Sequence, residues 1–469
     1  MADTAKLASL TLTAAAALVK KRKASPVDLA EACLARIESL NPHLNAFITV
    51  CGNSARAEAE RAHREIARGK YRGPLHGIPI AVKDNICTRG IRTTAGSKIL
   101  AGFIPDDDAT VVARLRAAGA IIIGKTNLHE FAYGVTSENP HYGAVRNPWD
   151  TSRIAGGSSG GSAVALATGM CYGALGTDTG GSIRIPASLC GVMGLKPRYG
   201  EALLRGVVEL ARSLDHVGPM ARAAADASIL FDAILATAPG AAARKQGNAG
   251  VTLRGLRIGL PESFLFERVN GEVRELVGEA AQWFARRGAK LKQLALPWLA
   301  PSEEAGTNIA LPEATEYHQS MGWWPARSAE YGEDVRKRLE LGEKTSASDF
   351  LRARRIQRET AAQMAALLRD EVDVLLAPAT PVAAPAAGEK TLPWPEGEET
   401  VRAALLRLCR PANLTGSPAI SFCCGFTSSR LPVGLQLIAN DERLLLRVSL
   451  AYEQAHEWHT LRPLSPGSL

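Results

Sequence analysis

The sequence predicts an α/β fold in which a mixed or largely parallel β-sheet is covered by helices on both faces. Short apolar segments alternate with helical patterns between residues 78 and 124, and the alternation resumes after residue 256. Of the 469 residues, 46% are hydrophobic and 22% are charged. This composition is typical of a globular protein with a large buried core.

The first part of the chain, residues 1–65, is predicted to form a helical arm that packs on the core. Residues 26–41 place Leu29, Cys33 and Ile37 at a spacing that brings apolar side chains to one face of a helix. We therefore expect helices, and no strand, before the sheet begins.

The rest of the chain, residues 66–469, is predicted to form one domain of alternating strands and helices. Its first predicted strand is IPIAV at residues 78–82. A helix follows at about residues 108–118, and a second strand, AIII, follows at residues 120–123. Strands joined through a helix in this way favour parallel pairing.

The second half of the chain continues the pattern after an interruption. Residues 236–250 are rich in alanine and glycine and predict a surface connection. LRIGLP at residues 256–261 predicts a strand, and residues 271–288 predict a long helix. LPWPEGEE at residues 392–399 predicts a loop. The last predicted elements are strands at residues 418–424 and 431–439 and a helix at residues 442–455.

Charge and cysteine content predict no nucleic-acid, membrane or metal partner. The net charge of +8 is spread without a run of five or six Lys or Arg residues, so the excess indicates solubility more than binding. The basic cluster Lys20–Lys23 follows an apolar stretch instead of preceding it, unlike a secretory signal, and no run of 18 apolar residues occurs. The eight cysteines lack CxxC spacing. We expect a cytoplasmic location and no cofactor, and the sequence leaves a homodimer open.

One segment matches the pattern of a nucleotide-binding phosphate loop. GAIIIGKT at residues 119–126 fits G-x-x-x-x-G-K-[ST] letter for letter. Three β-branched residues, Ile121–Ile123, fill the space that should hold flexible backbone, and they favour a buried strand. The predicted order is helix, glycine, strand, whereas a phosphate loop requires strand, loop, helix. We therefore reject a nucleotide site and interpret Lys125 as an ordinary polar residue at a strand end.

Two loops rich in glycine and serine are the stronger candidates for chemistry. They are AGGSSGGSA at residues 155–163 and GTDTGGSIRIPA at residues 176–187. Dense glycine lets the backbone approach a ligand closely or adopt torsions that other residues avoid. A serine nucleophile with backbone N–H groups around an oxyanion would use both loops, and the alternative is a pair of flexible linkers.

A serine nucleophile needs a base, and Lys83 is the best candidate. The nine histidines lie outside any hydrolase signature, and HEFAY from His129 fails as a zinc helix because position 133 is Tyr. Lys83 ends the apolar stretch GIPIAVKDN, where burial would favour its neutral amine and make it a general base. The alternative is a lysine that emerges to solvent at a strand end.

These segments resemble a known family. GGSSGGSA, GTDTGGSIRIPASLCGVMGLKP and GIPIAVKDN closely resemble the motifs of the amidase signature family of serine hydrolases. The resemblance extends through KTNLHEFAYGVTSENPHYGAVRNPWD and through PANLTGSPAISFCCG and LPVGLQLIA near the end of the chain. It implies the amidase signature fold, a central mixed twisted sheet covered by helices on both faces. It also makes residues 66–469 the catalytic domain, with a variable substrate-covering region at about residues 300–400.

The resemblance implies a Ser-Ser-Lys triad. Ser182 matches the nucleophile, Ser158 matches the bridging serine, and Lys83 matches the base. The family has a cis peptide bond before the bridging serine, which here would join Gly157 to Ser158. No metal is implied.

The same resemblance assigns roles around the nucleophile. The backbone N–H groups of Thr179, Gly180 and Gly181, together with that of Ser182, would form the oxyanion hole. Ser159 and Ser162 are interpreted as hydroxyls that shape the first loop. Asp178 and Arg184 are interpreted as braces of the second loop.

Substrate contacts are less constrained by the resemblance. Tyr133 matches a position that lines the acyl pocket in relatives, and Gly157 is expected to lie beside the substrate. Trp323 and Trp324 fall in the variable region that covers the site, where they would contact an aromatic or aliphatic group. The alternative is that this aromatic pair belongs to the core.

Two functions of the family fit these motifs. The first is a stand-alone amidase that acts on a small aryl or aliphatic amide, a carbamate or a urea-like substrate. The second is the glutaminase component of a tRNA-dependent amidotransferase. The chain has Leu406 where that component has an acidic residue five positions before PAN, and Gln357 where it has an arginine, unless the alignment slips to Arg358. These differences favour the stand-alone amidase.

Overall fold

The computed structural model describes residues 4–235 and 252–463, and an eleven-stranded sheet forms its centre. The surface connection predicted at residues 236–250 lies outside the described residues. Within the two described ranges, no helix is both long enough and apolar enough to cross a membrane.

The strands of the described residues are numbered in chain order. They are β1 Phe47–Val50, β2 Pro79–Lys83, β3 Ile121–Thr126, β4 Glu138–Asn139, β5 Gly143–Ala144, β6 Gly173–Asp178, β7 Met193–Lys196, β8 His216–Ala221, β9 Arg257–Pro261, β10 Lys290–Leu294, β11 Val374–Pro378, β12 Thr391–Trp394, β13 Gly397–Thr400, β14 Ala419–Phe426 and β15 Pro432–Ala439.

The α-helices are numbered in the same way, and short helical turns connect several of them. They are α1 Thr4–Ala8, α2 Leu12–Lys20, α3 Pro26–Leu44, α4 Gly52–Ala67, α5 Thr110–Ala117, α6 Gly160–Ala167, α7 Arg184–Cys190, α8 Ala224–Ile234, α9 Gly271–Arg286, α10 Ser302–Ser320, α11 Glu333–Lys344, α12 Ala347–Ala366, α13 Val401–Arg407, α14 Arg410–Leu414 and α15 Glu442–His456.

The large sheet is mixed, as predicted. Its strand order is β1-β3-β2-β6-β8-β7-β14-β15-β11-β9-β10. Strands β3, β2 and β6 are mutually parallel, as are β11, β9 and β10, and the other pairs are antiparallel. Every residue of β2, β3 and β6 is buried, because helices cover both faces of this part of the sheet.

The N-terminal arm contains a strand that the sequence did not predict. Helices α1 to α4 surround β1, which pairs antiparallel with β3 and so extends the sheet at its edge. Helix α3 begins at a capping box, in which Ser25 and Asp28 satisfy each other's backbone N–H groups, with Pro26 at its first turn. Only four residues form β1, which is too short to show a clear period in the sequence.

Residues 392–399, predicted as a loop, form a hairpin instead. Strands β12 and β13 pair antiparallel from Thr391 opposite Thr400 to Trp394 opposite Gly397. Prolines 393 and 395 made a strand improbable by pattern, because proline cannot donate to a ladder. The hairpin is a separate two-stranded sheet, where proline on an unpaired edge is tolerated.

The segment GAIIIGKT is the end of a helix followed by a buried strand. Gly119 has a φ of 88° and follows α5, and β3 then runs from Ile121 to Thr126, further than predicted. This order confirms the rejection of a phosphate loop. Our interpretation of Lys125 was wrong, however, because this side chain is fully buried and lies 3.2 Å from Asp84. A buried ammonium needs such a partner.

Candidate active site

The two parallel strands β2 and β6 bring the predicted base to the predicted serine loops. Lys83 is the last residue of β2, and Val82 lies opposite Leu175 of β6. The carboxyl ends of both strands therefore meet at one edge. The Lys83 Nζ lies 2.7 Å from the Ser158 Oγ and 2.7 Å from the Thr177 Oγ1.

The environment of Lys83 favours a neutral amine. Its side chain is fully buried, and within the described ranges no carboxylate oxygen lies within 4.0 Å of its Nζ. Burial lowers the pKa of Lys83 to about 7, although the more distant carboxylates of Asp178 and Asp215 act in the opposite direction. An appreciable fraction of Lys83 is therefore neutral near pH 7.

The first glycine-serine loop presents Ser158 through tight backbone packing. The Gly157–Ser158 peptide bond is cis, as the resemblance implies. The Ser158 carbonyl accepts hydrogen bonds from the His129 N–H and the Ser137 hydroxyl, both at 3.3 Å. A Cβ atom at Gly157 would lie 2.8 Å from the Ser137 backbone nitrogen, so only glycine fits there. The structure thus shows a packing reason for Gly157 as well as its expected place near substrate.

Ser159 and Ser162 tie the two loops together, as predicted. The Ser159 hydroxyl donates to the Thr177 carbonyl at 3.1 Å, and the Ser159 N–H donates to the Ser182 carbonyl at 3.1 Å. The Ser162 hydroxyl donates to the Leu175 carbonyl at 3.1 Å. These bonds hold the loop of Ser158 against the loop of Ser182.

Asp178 and Arg184 brace the second loop, as predicted. The Arg184 guanidinium donates two hydrogen bonds to the Asp178 carboxylate, both at 3.0 Å. Burial favours a raised pKa for Asp178, but the Arg184 charge overcomes burial and holds that pKa well below its usual range. The carboxylate also accepts from the N–H groups of Gly181 at 2.7 Å and Ile183 at 3.1 Å. It therefore fixes the backbone on both sides of Ser182.

This brace changes the predicted oxyanion hole. The Gly181 N–H points to the Asp178 carboxylate, so it is not available to an oxyanion in this structure. Gly181 instead supplies a φ of 126°, which residues with a side chain rarely adopt. The N–H groups of Thr179, Gly180 and Ser182 remain as the candidate donors.

Two residues near the C-terminus complete the brace. The Arg184 guanidinium also donates to the Asn413 Oδ1 and the Gln436 Oε1, both at 2.6 Å, and Asn413 donates to the Asp178 carboxylate at 2.8 Å. Both residues lie in segments that resemble family motifs, but the sequence alone assigned their side chains no role. Gln436, a polar residue inside the apolar strand β15, was the available signal.

Asp215 is a further polar residue that sequence reasoning missed. Its carboxylate accepts from the Thr179 hydroxyl at 2.6 Å and from the N–H groups of Leu210 at 2.8 Å and Ala211 at 3.2 Å. Burial raises the pKa of Asp215 to about 7. It positions Thr179 beside the nucleophile, and no local motif marks it in the sequence.

A small cavity opens beside Ser182. It measures about 20 Å³, enough for about one water molecule. The predicted residues Tyr133, Thr179, Gly180 and Ser182 line it, together with Leu406, Arg402 and Arg410. Tyr133 is 1% exposed, and its buried hydroxyl has no hydrogen-bond partner in the described structure. The structure thus brings Tyr133 to the nucleophile, as expected, and adds two arginines that the sequence did not identify.

The structure does not bring Trp323 and Trp324 to this cavity. The Trp323 ring stacks on Phe131 with 5.5 Å between ring centres, and the Trp324 Nε1 donates to the Glu343 carboxylate at 2.8 Å. Neither tryptophan lines the cavity of Ser182. They belong to an apolar cluster that includes Phe131 and Tyr133, because aromatic side chains at these positions bury more surface against each other. The core alternative therefore describes them better than substrate contact.

The arrangement defines a serine hydrolase site with a lysine base, and comparison with known proteins agrees. The family model described as Amidase matches residues 28–445. The chain belongs to the amidase signature family, whose members include enzymes that hydrolyse carbon–nitrogen bonds.

Individual relatives match over nearly the whole chain. The glutaminase-type component of glutamyl-tRNA(Gln) amidotransferase from Chloroflexus aggregans is 40% identical over 489 aligned positions, which cover 97% of this chain and 98% of the relative. The crystal structure of an amidase has a TM-score of 0.87 and 35% identity, over 95% of this chain and 99% of that one. The structure of an s-triazine catabolic enzyme from a vestigial protein complex has a TM-score of 0.89 and 34% identity, over 97% and 100%.

Proposed function

We propose that this chain is a stand-alone amidase that hydrolyses a small amide-type substrate through an acyl-enzyme on Ser182. One observation carries the proposal. The buried amine of Lys83 lies 2.7 Å from the Ser158 hydroxyl, in a loop that hydrogen bonds to the backbone of Ser182. With a pKa near 7, Lys83 can accept a proton at neutral pH.

The reaction proceeds in two halves. Neutral Lys83 accepts a proton from Ser158 while Ser158 accepts one from Ser182, whose oxygen forms a bond to the substrate carbonyl carbon. The N–H groups of Thr179, Gly180 and Ser182 stabilise the oxyanion. The proton then passes to the leaving amine as the carbon–nitrogen bond breaks. Water next attacks the ester by the reverse relay, which releases the acid and restores Ser182.

The stand-alone activity is supported by the lining of the cavity. Leu406 lies there, at the position where the amidotransferase glutaminases resembled in sequence have an acidic residue. Gln357 is half-buried and Arg358 is exposed on α12, and neither lines the cavity. The α-ammonium of a bound glutamine would therefore lose water without gaining a counter-charge, which is unfavourable.

A second candidate function is the glutaminase component of a tRNA-dependent amidotransferase. Its support is the 40% identity to the Chloroflexus aggregans relative over 97% of this chain. In that function, the same acyl-enzyme would form on glutamine, and the released ammonia would pass to a partner. The two candidates share the serine chemistry and differ in substrate and in dependence on a partner.

A hydrolysis screen distinguishes the two candidates. The purified chain alone is incubated with small aryl amides, aliphatic amides, carbamates and glutamine, and released amine or ammonia is measured. We expect turnover of a non-glutamine substrate without a partner, its loss by at least about 1000-fold in Ser182→Ala, and full retention in the exposed control Ser54→Ala. Glutamine turnover that appears only with partner proteins would support the second candidate. Full activity of Ser182→Ala would overturn the mechanism.

A further inference from the structure

We propose that the acyl group of the substrate carries a carboxylate, and that Arg402 and Arg410 bind it beside Ser182. This inference rests on the proposed amidase function and specifies its substrate class. The predicted substrates would then be monoamides of short dicarboxylic acids, in which an amide and a carboxylate stand at opposite ends of one acyl chain.

The charge of the cavity is the first step of the argument. Arg402 and Arg410 both line the cavity of Ser182, and no acidic side chain of the described residues lines it. No described carboxylate oxygen lies within 4.0 Å of either guanidinium, whereas the other buried arginine of the site, Arg184, pairs with Asp178. Two cations taken out of water without a counter-charge are costly, so the cavity is prepared for an anion.

Arg410 is held at the nucleophile loop with hydrogen-bonding capacity unused. Its side chain is 4% exposed, its Nε is buried without a partner, and its Nη1 donates only a long bond, 3.4 Å, to the Thr307 hydroxyl. Glu303 is the carboxylate whose charge acts on it, from outside ion-pair distance. At least one N–H of Arg410 thus lacks an acceptor within the described part of the protein.

Two glycines make room for this guanidinium. A Cβ atom at Gly306, inside helix α10, would lie 2.4 Å from the Arg410 Cδ and 2.8 Å from its Nη1. A Cβ atom at Gly180 would lie 3.5 Å from the Arg410 Nη2. Glycine inside a helix destabilises it by about 1 kcal/mol relative to alanine, so its presence at position 306 has a packing reason. The charge of Arg410 is therefore set directly against the oxyanion loop.

Arg402 stands where the inner cavity meets a wider one. It lines both the cavity of Ser182 and an open cavity of about 630 Å³. Its guanidinium lies 5.8 Å from the centre of the Tyr133 ring, and no hydrogen bond or ion pair of the described structure engages it. Burial, reinforced by the charges of Arg338 and Arg410, lowers the pKa of Arg402 to about 9, so it remains a cation at neutral pH. An anion entering from the open cavity meets Arg402 first.

Chemistry then selects the ligand. Guanidinium groups bind carboxylates through paired N–H donors, and the unpartnered Tyr133 hydroxyl offers another donor. Because Arg410 lies so close to Gly180, the carboxylate and the reacting carbonyl must be separated by a short chain. The lining of the inner cavity, within the described residues, includes no carboxylate to receive an ammonium group. The site should therefore prefer glutaramate over glutamine, which differs from it by the α-ammonium group.

The test compares kcat/KM for matched charged and neutral amides. Succinamate and glutaramate are compared with the neutral diamides succinamide and glutaramide, and with glutamine. We expect the wild-type enzyme to prefer the monoamides over the diamides and over glutamine by at least about tenfold. In Arg402→Met and Arg410→Met this ratio should fall to within about threefold of unity. The exposed control Arg358→Met should retain the wild-type ratio.

The outcomes separate this inference from the proposed function. If the wild-type enzyme hydrolyses diamides as well as monoamides, or if neither variant changes the ratio, the inference is overturned while the amidase function stands. If the enzyme hydrolyses no amide, the amidase function fails, and binding decides the anion site. In that case, calorimetry on Ser182→Ala should detect glutarate but not glutaramide, with binding weakened at least tenfold by Arg402→Met. The absence of glutarate binding would overturn the site.

Discussion

At the scale of single residues, two buried lysines on neighbouring strands have opposite environments. Lys83 ends β2 and Lys125 lies on β3, opposite Val82. Lys125 has the Asp84 carboxylate 3.2 Å away, whereas Lys83 has only hydroxyl and carbonyl oxygens around its amine. A carboxylate neighbour keeps an ammonium charged, and neutral oxygen neighbours do not. The difference suits Lys83 to proton transfer and Lys125 to structure.

The pH dependence of activity follows from the environment of Lys83. A base must be neutral to accept a proton, so activity should rise with pH as Lys83 loses its proton through its pKa of about 7. We expect kcat/KM to increase about tenfold per unit below pH 7 and to level off above it. The measurement is a profile of kcat/KM between about pH 5 and pH 9, with a substrate that does not titrate in this range. A profile that declines as pH rises through 7 would exclude Lys83 as the base.

At the scale of elements, the Lys125–Asp84 ion pair joins β3 to the turn after β2. Lys125 also donates to the Ile86 carbonyl at 2.8 Å and to the Thr93 hydroxyl at 2.7 Å, and Asp84 accepts from the Thr94 N–H at 2.9 Å. The pair therefore fixes the backbone that follows Lys83. Breaking it would leave one buried charge without its partner.

Substitution of Lys125 tests this structural role. We expect Lys125→Met to lower the free energy of unfolding by about 3 to 5 kcal/mol, because Asp84 would remain buried and unpaired. The exposed pair of Lys292 and Glu371, with 2.7 Å between its charged atoms, is the control. Lys292→Met should lower the free energy of unfolding by less than about 1 kcal/mol. Equal effects of the two variants in urea denaturation would show that Lys125 contributes no more than a surface ion pair.

Another link between elements positions the proposed anion site. Helix α13 carries Arg402 and Leu406 and begins directly after the β12–β13 hairpin, with the Thr400 hydroxyl accepting from the Ala403 N–H. Glu399 of the hairpin binds the buried Arg407 at the other end of the helix, at 3.1 Å. The hairpin thus fixes both ends of the helix that lines the cavity.

At the scale of the whole molecule, the N-terminal arm is part of the core. The buried side chains Leu12, Leu29 and Phe47 belong to the same apolar cluster as the central strands. The Asp226 carboxylate, on α8, accepts from the N–H of Leu12 at 2.9 Å and from that of Thr13 at 2.8 Å. The arm is therefore joined to the sheet by apolar packing and by buried hydrogen bonds.

Deletion of residues 1–65 tests whether residues 66–469 fold alone. The deletion would expose the edge of β3, which β1 covers, and the apolar side chains under the helices of the arm. We expect the shortened chain to aggregate or to lack a cooperative unfolding transition, measured by gel filtration and thermal denaturation. The full chain is the control. A monodisperse, active product would show that the arm and the catalytic domain are independent.

The parts of the site that could be predicted are local in sequence. Lys83, Ser158 and Ser182 stand in short segments whose glycine content and apolar flanks indicate chemistry. The alternation of strands and helices likewise predicts the mixed sheet, because burial on both faces leaves a strong apolar signal.

The parts that could not be predicted depend on contacts between distant segments. Asp215 meets Thr179 across 36 positions, and Gln436 meets Arg184 across 252. Arg402 resembles any surface arginine in the sequence, because only the folded chain shows that it lacks a counter-charge. Trp323 likewise has the same sequence signal in a core as in a substrate site.

The contact between Arg184 and Gln436 has a consequence for how the chain matures. The carboxylate that shapes the backbone around Ser182 is held by Arg184, and Arg184 in turn needs Asn413 and a residue of β15, close to the end of the chain. A nascent chain on the ribosome already contains every residue of the triad long before β15 has been synthesised. Its nucleophile loop acquires its final shape only when translation is nearly complete, so the hydrolase remains inactive during most of its own synthesis.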